Sequence, residues 1–115
     1  MTTVNSSINV SGVTTTGIQY IAGYSGTLIN KKHNSFVRSF TTAVDEDILG
    51  SDFTKVSALF IKVVSGDLTV KITTSAGTDQ IITLDRVLYI ETSTRTISNI
   101  LISGTGEIEV ALFGE

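Results

Sequence analysis

From Val56 onward, apolar and polar residues alternate with a period of two. Leu59, Ile61 and Val63 share one parity, and apolar residues return at positions 68, 70 and 72 after Ser65-Gly66-Asp67. Successive side chains point to opposite faces in an extended strand, so this pattern predicts strands that are buried on one face. Two alternating runs that are separated by a Ser-Gly-Asp turn predict a β-hairpin.

The rest of the chain repeats this pattern in short stretches. Further strands are predicted over residues 8–13, 18–24, 27–30, 36–44, 80–84, 87–90, 97–103 and 107–113. Gly104-Thr105-Gly106 is expected to reverse the chain between the last two of them. Many short strands at a spacing of about 8–12 residues are typical of sandwiches and barrels. We therefore expect an all-β fold, an antiparallel β-sandwich that is jelly-roll-like and has about eight short strands.

Length and composition exclude several classes of protein. The 115 residues predict a single domain over 1–115, in which we expect residues 1–7 to serve as a flexible N-terminal arm. There is no cysteine, so disulfides and thiolate metal sites are excluded. A net charge of −3 argues against nucleic-acid binding, and no apolar run approaches the ~20 residues of a membrane-spanning helix.

The surface chemistry favours packing against other proteins. Charged residues make up 17% of the chain, below the usual ~25%, while serine and threonine are abundant. Such a surface loses its water at low cost. Proline is absent, which removes one common guard against pairing between edge strands, so we expect a homo-oligomer.

The residue types that carry chemistry are sparse. His33 is the single histidine and lies in a polar stretch, so a surface position is expected for it. Asp45, Asp47 and Gly50 match three positions of a calcium-binding EF-hand loop, but Leu49 occupies a ligand position and the closing glutamate is missing. A looser calcium site stays open as an alternative. We predict no catalytic, cofactor-binding or metal-binding residue, and hence no enzyme.

Apolar and aromatic residues in the N-terminal strands and near the C-terminus are candidates for an interface. Tyr20 and Tyr24 fall on one face of a predicted strand, where they would form either a subunit contact or a small platform for sugar stacking. Tyrosine suits interfaces that are partly wet. The predicted interface residues are Val4, Ile8, Tyr20, Tyr24 and Phe113.

The second half of the chain resembles a family of viral proteins. The segments 59–84, 88–90 and 99–115, LFIKVVSGDLTVKITTSAGTDQIITL, LYI and NILISGTGEIEVALFGE, are similar to small β-sandwich virion proteins of tailed bacteriophages. These are capsid decoration (cement), collar or fibre-associated proteins. The similarity lies in a Ser-Gly turn, a second turn rich in serine and threonine, and a Gly-Thr-Gly turn that leads into an aliphatic strand.

The resemblance implies a non-enzymatic role in a virion, for a protein that is made in the host cytoplasm. It favours a capsid decoration protein that stabilises the shell, with the major capsid or other virion proteins as partners and a trimer as the oligomer. A head-to-tail or tail-surface component is an alternative, and so is a receptor- or glycan-binding β-module. An unrelated small β-domain would share the same composition.

Overall fold

The protein is all-β. The computed structural model describes residues 2–13, 19–30, 32–50, 53–75, 77, 79–92 and 95–115. They form seven strands: β1 (Thr2–Val13), β2 (Gln19–Asn30), β3 (Lys32–Asp47), β4 (Val56–Thr74), β5 (Asp79–Leu84), β6 (Val87–Glu91) and β7 (Ile97–Gly114). The part of the chain that is described contains no helix that could cross a membrane.

The strands form two separate sheets. β1 and β2 pair only with each other, as an antiparallel hairpin. The other five strands form one sheet in the order β3-β7-β4-β5, in which β5 pairs with residues 68–73 of β4 and β6 pairs with residues 58–62 of β4. Along β4 and β7 the partner numbers run in opposite directions, from Leu59 opposite Leu112 to Ile72 opposite Ile100, so these strands are antiparallel.

β4 folds back on itself. Val56 and Thr74, its first and last residues, both pair with Ile97 at the start of β7. A straight strand of 19 residues would span roughly 60 Å, which is longer than the 49 Å long axis of the whole molecule. A sharp bend in β4 is therefore required.

The bend coincides with three glycines, of which Gly66 and Gly106 face each other. Gly66 of β4 pairs with Gly106 of β7, and Leu68 pairs with Gly104. Gly66 and Gly104 have positive φ angles of 80° and 115°, which residues with a side chain rarely adopt. A Cβ atom on Gly66 would lie 2.3 Å from the Thr105 carbonyl oxygen, so only glycine lets the two backbones approach this closely. We call residues 65–67 and 104–106 the glycine corner.

β3 bends at the same place by bulging. Its register with β7 shifts between Phe40 and Ala43 and again between Ala43 and Glu46. Thr42 and Asp45 have positive φ angles, and their backbone N–H groups donate to the side-chain hydroxyls of Thr105 and Ser103, each at 2.9 Å. Hydroxyl side chains on β7 thus replace the ladder hydrogen bonds that a bulge removes.

Both halves of the bent strands contribute to one core. Before the corner Val56, Leu59 and Ile61 are buried in the core, and after it Leu68, Val70 and Ile72 are buried. The core residues next to the corner lie at odd positions before it, 59 and 61, and at even positions after it, 68, 70 and 72. The other strands and turns add Phe40, Ile48, Phe53, Leu84, Ile97, Ile100, Ile102, Ile108, Val110 and Leu112.

Several predictions from the sequence are corrected by this arrangement. Ser65-Gly66-Asp67 does not close a hairpin and Gly104-Thr105-Gly106 does not reverse the chain, because both lie inside continuous strands and face each other. The described residues contain seven strands, and five of them are 12 residues or longer, so the prediction of about eight short strands is not confirmed. Residues 2–7 lie in β1 and pair with residues 25–30 of β2. That residues 1–7 serve as a flexible N-terminal arm stays a prediction.

Candidate functional site

The residue types with catalytic potential are scattered over the surface. His33 is exposed, and its ring stacks on that of Phe113 with centroids 6.4 Å apart. In the described residues, no group of three or more histidine, cysteine, aspartate or glutamate side chains comes together in a way that would hold a metal ion. Lys31, two residues before His33, and Asp52, which follows the acidic segment 45–47, lie outside the described residues.

The acidic segment at the end of β3 supports local structure. The Asp47 carboxylate accepts hydrogen bonds from the backbone N–H groups of Leu49, at 2.8 Å, and Gly50, at 3.4 Å. The Glu46 carboxylate forms an ion pair with Arg38 on the same strand. These carboxylates hold the end of β3 and the turn that follows it, and the contacts of Asp47 are those of an Asx turn.

The strongest candidate for function is an apolar patch on the outer face of the main sheet. Leu59, Ile61 and Val110 point into the core, so the alternate positions on β4 and β7 lie on the opposite face. On that face Phe60 pairs with Ala111 on one side and with Tyr89 on the other, and Ala58 pairs with Phe113. Four of these residues are half-buried, namely Phe60, Tyr89, Ala111 and Phe113.

This patch forms one wall of a groove. Its volume is about 460 Å³, and its other wall is part of β1. The residues that line it are Asn5, Ser7, Ile8, Phe60, Val87, Tyr89, Ala111 and Phe113, and we call it the outer groove. A second hollow of about 350 Å³ shares Phe60 and Ala111 and extends toward Val37 of β3.

The groove is apolar at its floor, and two residues of opposite charge lie near it. Lys62 of β4 lies opposite Glu109 of β7, two residues further along β4 from Phe60, and both are exposed. Val87, which pairs with Lys62, is 55% exposed, and Val37, which pairs with Glu109, is 59% exposed. Half-buried aromatic rings with a polar rim are the usual anatomy of a protein interface.

The structure brings two of the predicted interface residues together. Ile8, which is 40% exposed, and Phe113 both line the outer groove. Val4, Tyr20 and Tyr24 lie in the β1–β2 hairpin, where the described backbone gives their register but their side chains lie outside what is described. Ile8 pairs with Tyr24, and residues directly opposite each other share a face. By alternation Val4 and Tyr20 belong to that face as well.

Sequence reasoning missed Phe60, Val87 and Tyr89. A signal for them exists in the alternation itself. Phe60 takes the parity opposite to that of Leu59 and Ile61, and Phe113 takes the parity of Glu109, so both aromatic rings fall on the nominally polar face. A large apolar residue in the polar phase of a strand marks a second apolar surface.

No protein-family model, curated protein or solved structure matches this chain.

Proposed function

We propose that the protein is a non-enzymatic structural component of a phage particle, a capsid decoration protein that binds and stabilises the shell. The observation that carries the proposal is the outer groove, a set of half-buried aromatic residues on the face of the sheet opposite to the core. Covering such a surface with a protein partner lowers the free energy of the complex by about 25 cal/mol per Å² of apolar area. The partner is the major capsid protein or another virion protein.

The composition of the surface supports the same role. Charged residues make up 17% of the chain, and near the groove Lys62 lies opposite Glu109 in the ladder and Glu91 lies opposite Ala58. Covering a surface with few charges leaves little charge without water, which is the main penalty in burying a polar surface. Many copies on a lattice add avidity, so each contact can be weak.

We also infer that the bent sheet folds over to form a two-layer sandwich. β3, β7 and β4 each contribute one segment on either side of the glycine corner, with β6 next to β4 in one layer and β5 in the other. Counted in this way, the sandwich has eight segments. Strands that pass from one layer to the other through bends and bulges are known in packed sheets. Jelly-roll-like connectivity stays a prediction.

The test is binding of the full chain to purified phage shells that lack it. We expect co-sedimentation with the shells and a higher temperature of shell disruption. Val87→Asp, which places a charge at the groove, is expected to weaken binding at least tenfold. Val44→Asp is the matched control, because Val44 is 81% exposed and lies on β3 away from the groove. A protein that ignores shells, or equal binding by the two variants, would overturn the proposal.

A second candidate is a receptor- or glycan-binding module, and one specific observation favours it. The outer groove has the volume of a small-molecule site and contains the rings of Phe60, Tyr89 and Phe113. Binding to a glycan array, lost on Phe60→Ala, would support it and would count against decoration. A head-to-tail or tail-surface role predicts the same surface chemistry, and electron microscopy of labelled protein on whole particles separates it from decoration.

A further inference from the structure

The β1–β2 hairpin carries no charged side chain. Every lysine, arginine, aspartate, glutamate and histidine of the chain lies at residue 31 or beyond. The hairpin is also long and regular, with an unbroken ladder from Thr2 opposite Asn30 to Val13 opposite Gln19. Twelve residues per strand give a length of roughly 40 Å.

The outer edges of the hairpin lack the features that normally prevent an edge strand from pairing with another chain. Charged side chains, proline, bulges and short length are the usual protections against pairing with another chain. β3, an edge of the larger sheet, has Arg38, Glu46 and two shifts of register. The hairpin has none of these in its described residues, and its outward N–H and C=O groups form a regular template for a further strand.

The register also gathers apolar residues on one face of the hairpin. Residues directly opposite each other in the ladder share a face, and alternate positions belong to the other face. The mostly apolar face has the pairs Val4–Leu28, Ile8–Tyr24, Val10–Ala22 and Gly12–Tyr20. Ile8 of this face lies at the outer groove. A hairpin of two strands is marginally stable in water by itself, so covering the rest of the face would stabilise it.

We propose that the hairpin binds the hairpins of other copies of this chain and is the element that joins the oligomer. This rests on the proposed function, in which copies act together, and it names the contact between them. When identical segments pack close to a symmetry axis, a charged side chain near the axis comes close to its own copy and is repelled. A segment without charge avoids that repulsion, although the chain as a whole has a net charge of −3. A charged partner would instead be recognised by charged side chains.

The size of the hairpin favours more than two copies. Its face covers roughly 40 Å by 10 Å, or about 400 Å², whereas a stable interface usually takes about 800 Å² from each partner. One contact between two faces falls short of that area, so a dimer that is held by this contact alone is expected to be weak. In a closed ring each chain has two neighbours and leaves only when both contacts break, so weak contacts suffice, and the smallest such ring is a trimer.

The experiment is light scattering of the full chain over a range of concentrations, without any shell protein. We expect the wild-type protein to have the mass of three chains. Ile8→Lys places a positive charge on the apolar face and is expected to raise the dissociation constant at least tenfold. Ile81→Lys is the matched control, because Ile81 is 68% exposed on β5, and it should keep the wild-type mass.

A conservative variant and a measure of folding separate lost contact from lost folding. The Ile8→Lys chain should keep the circular dichroism spectrum of a β-sheet protein while it loses the oligomer, and Ile8→Leu, which keeps an apolar side chain at this position, should keep the wild-type mass. A wild-type monomer at all concentrations, an oligomer that survives Ile8→Lys, or an Ile8→Leu chain that is monomeric would each overturn the inference. An oligomer that ignores shells would instead overturn the proposed function and leave this inference standing.

Discussion

Gly66→Ala is expected to destabilise the fold strongly, because the glycine corner leaves no room for a side chain. The new Cβ atom would lie 2.3 Å from the Thr105 carbonyl oxygen and 2.9 Å from the Cα atom of Gly106. Both are backbone atoms of the paired strand and cannot rotate away. The φ angle of 80° would also be strained in alanine.

The two effects can be estimated separately. A positive φ costs a residue with a Cβ atom about 1–2 kcal/mol. Forcing extra atoms into a closely packed region costs about 1–3 kcal/mol. Together they predict a loss of roughly 2–5 kcal/mol in the free energy of unfolding. At about 4 °C for each kcal/mol, the melting temperature should fall by roughly 10–20 °C.

Two further glycines isolate the two contributions. Gly77 has a φ angle of 79°, and a Cβ atom added to it would have no other atom within 4 Å, so Gly77→Ala tests the backbone strain alone. For Gly106, a Cβ atom would lie 2.3 Å from the Ser65 carbonyl oxygen while φ is not in the left-handed region, so Gly106→Ala tests the overlap alone. Each should cost less than Gly66→Ala.

The assay is urea denaturation followed by circular dichroism, with the free energy of unfolding taken from linear extrapolation. If Gly66→Ala destabilises the protein no more than Gly77→Ala does, the backbones of β4 and β7 do not approach closely at this point. The glycine corner would then be wrong as an account of how the sheet folds over.

Three other predictions concern the core and the surface. Leu59→Ala should lower the free energy of unfolding by about 2–5 kcal/mol, because Leu59 is fully buried, whereas Ile81→Ala should change it by less than about 0.5 kcal/mol; denaturation curves check both. A double-mutant cycle on Arg38 and Glu46 should give a coupling of about 0.2–1 kcal/mol, since both side chains are more than a third exposed; a larger value would contradict this. Millimolar calcium should leave the melting temperature unchanged, because backbone N–H groups already use the Asp47 carboxylate; a clear rise would reveal a calcium site.

Strand positions were largely predictable from the sequence, and strand pairing was not. Alternation placed strands close to their observed positions over β4, β5, β6 and β7, because period two is a local property of each segment. The structural role of Gly66 could not be predicted from local alternation. A glycine between two alternating runs suits a hairpin turn and a bend equally well, and its pairing with Gly106, 40 residues away, decides between them.

The candidate site shows the same division. Ile8 and Phe113 were predictable as apolar residues outside the main alternation, but nothing local indicates that they line one groove. Phe60 and Tyr89 join them because β4 pairs with β6 on one side and with β7 on the other. Contacts of this kind depend on which strands become neighbours, and that choice is made by burial over the whole sheet.

The sequence by itself determined that this protein is all-β, which residues of each strand share a face, and that residues 1–30 carry no charged side chain. Only the tertiary structure decided that the glycines form a corner, that the first 30 residues contribute a separate hairpin, and that a second apolar surface lies outside the core. The physical reason is that alternation defines two faces for each strand locally. Which face is buried, and against which neighbour, follows from the free energy of packing all the strands together.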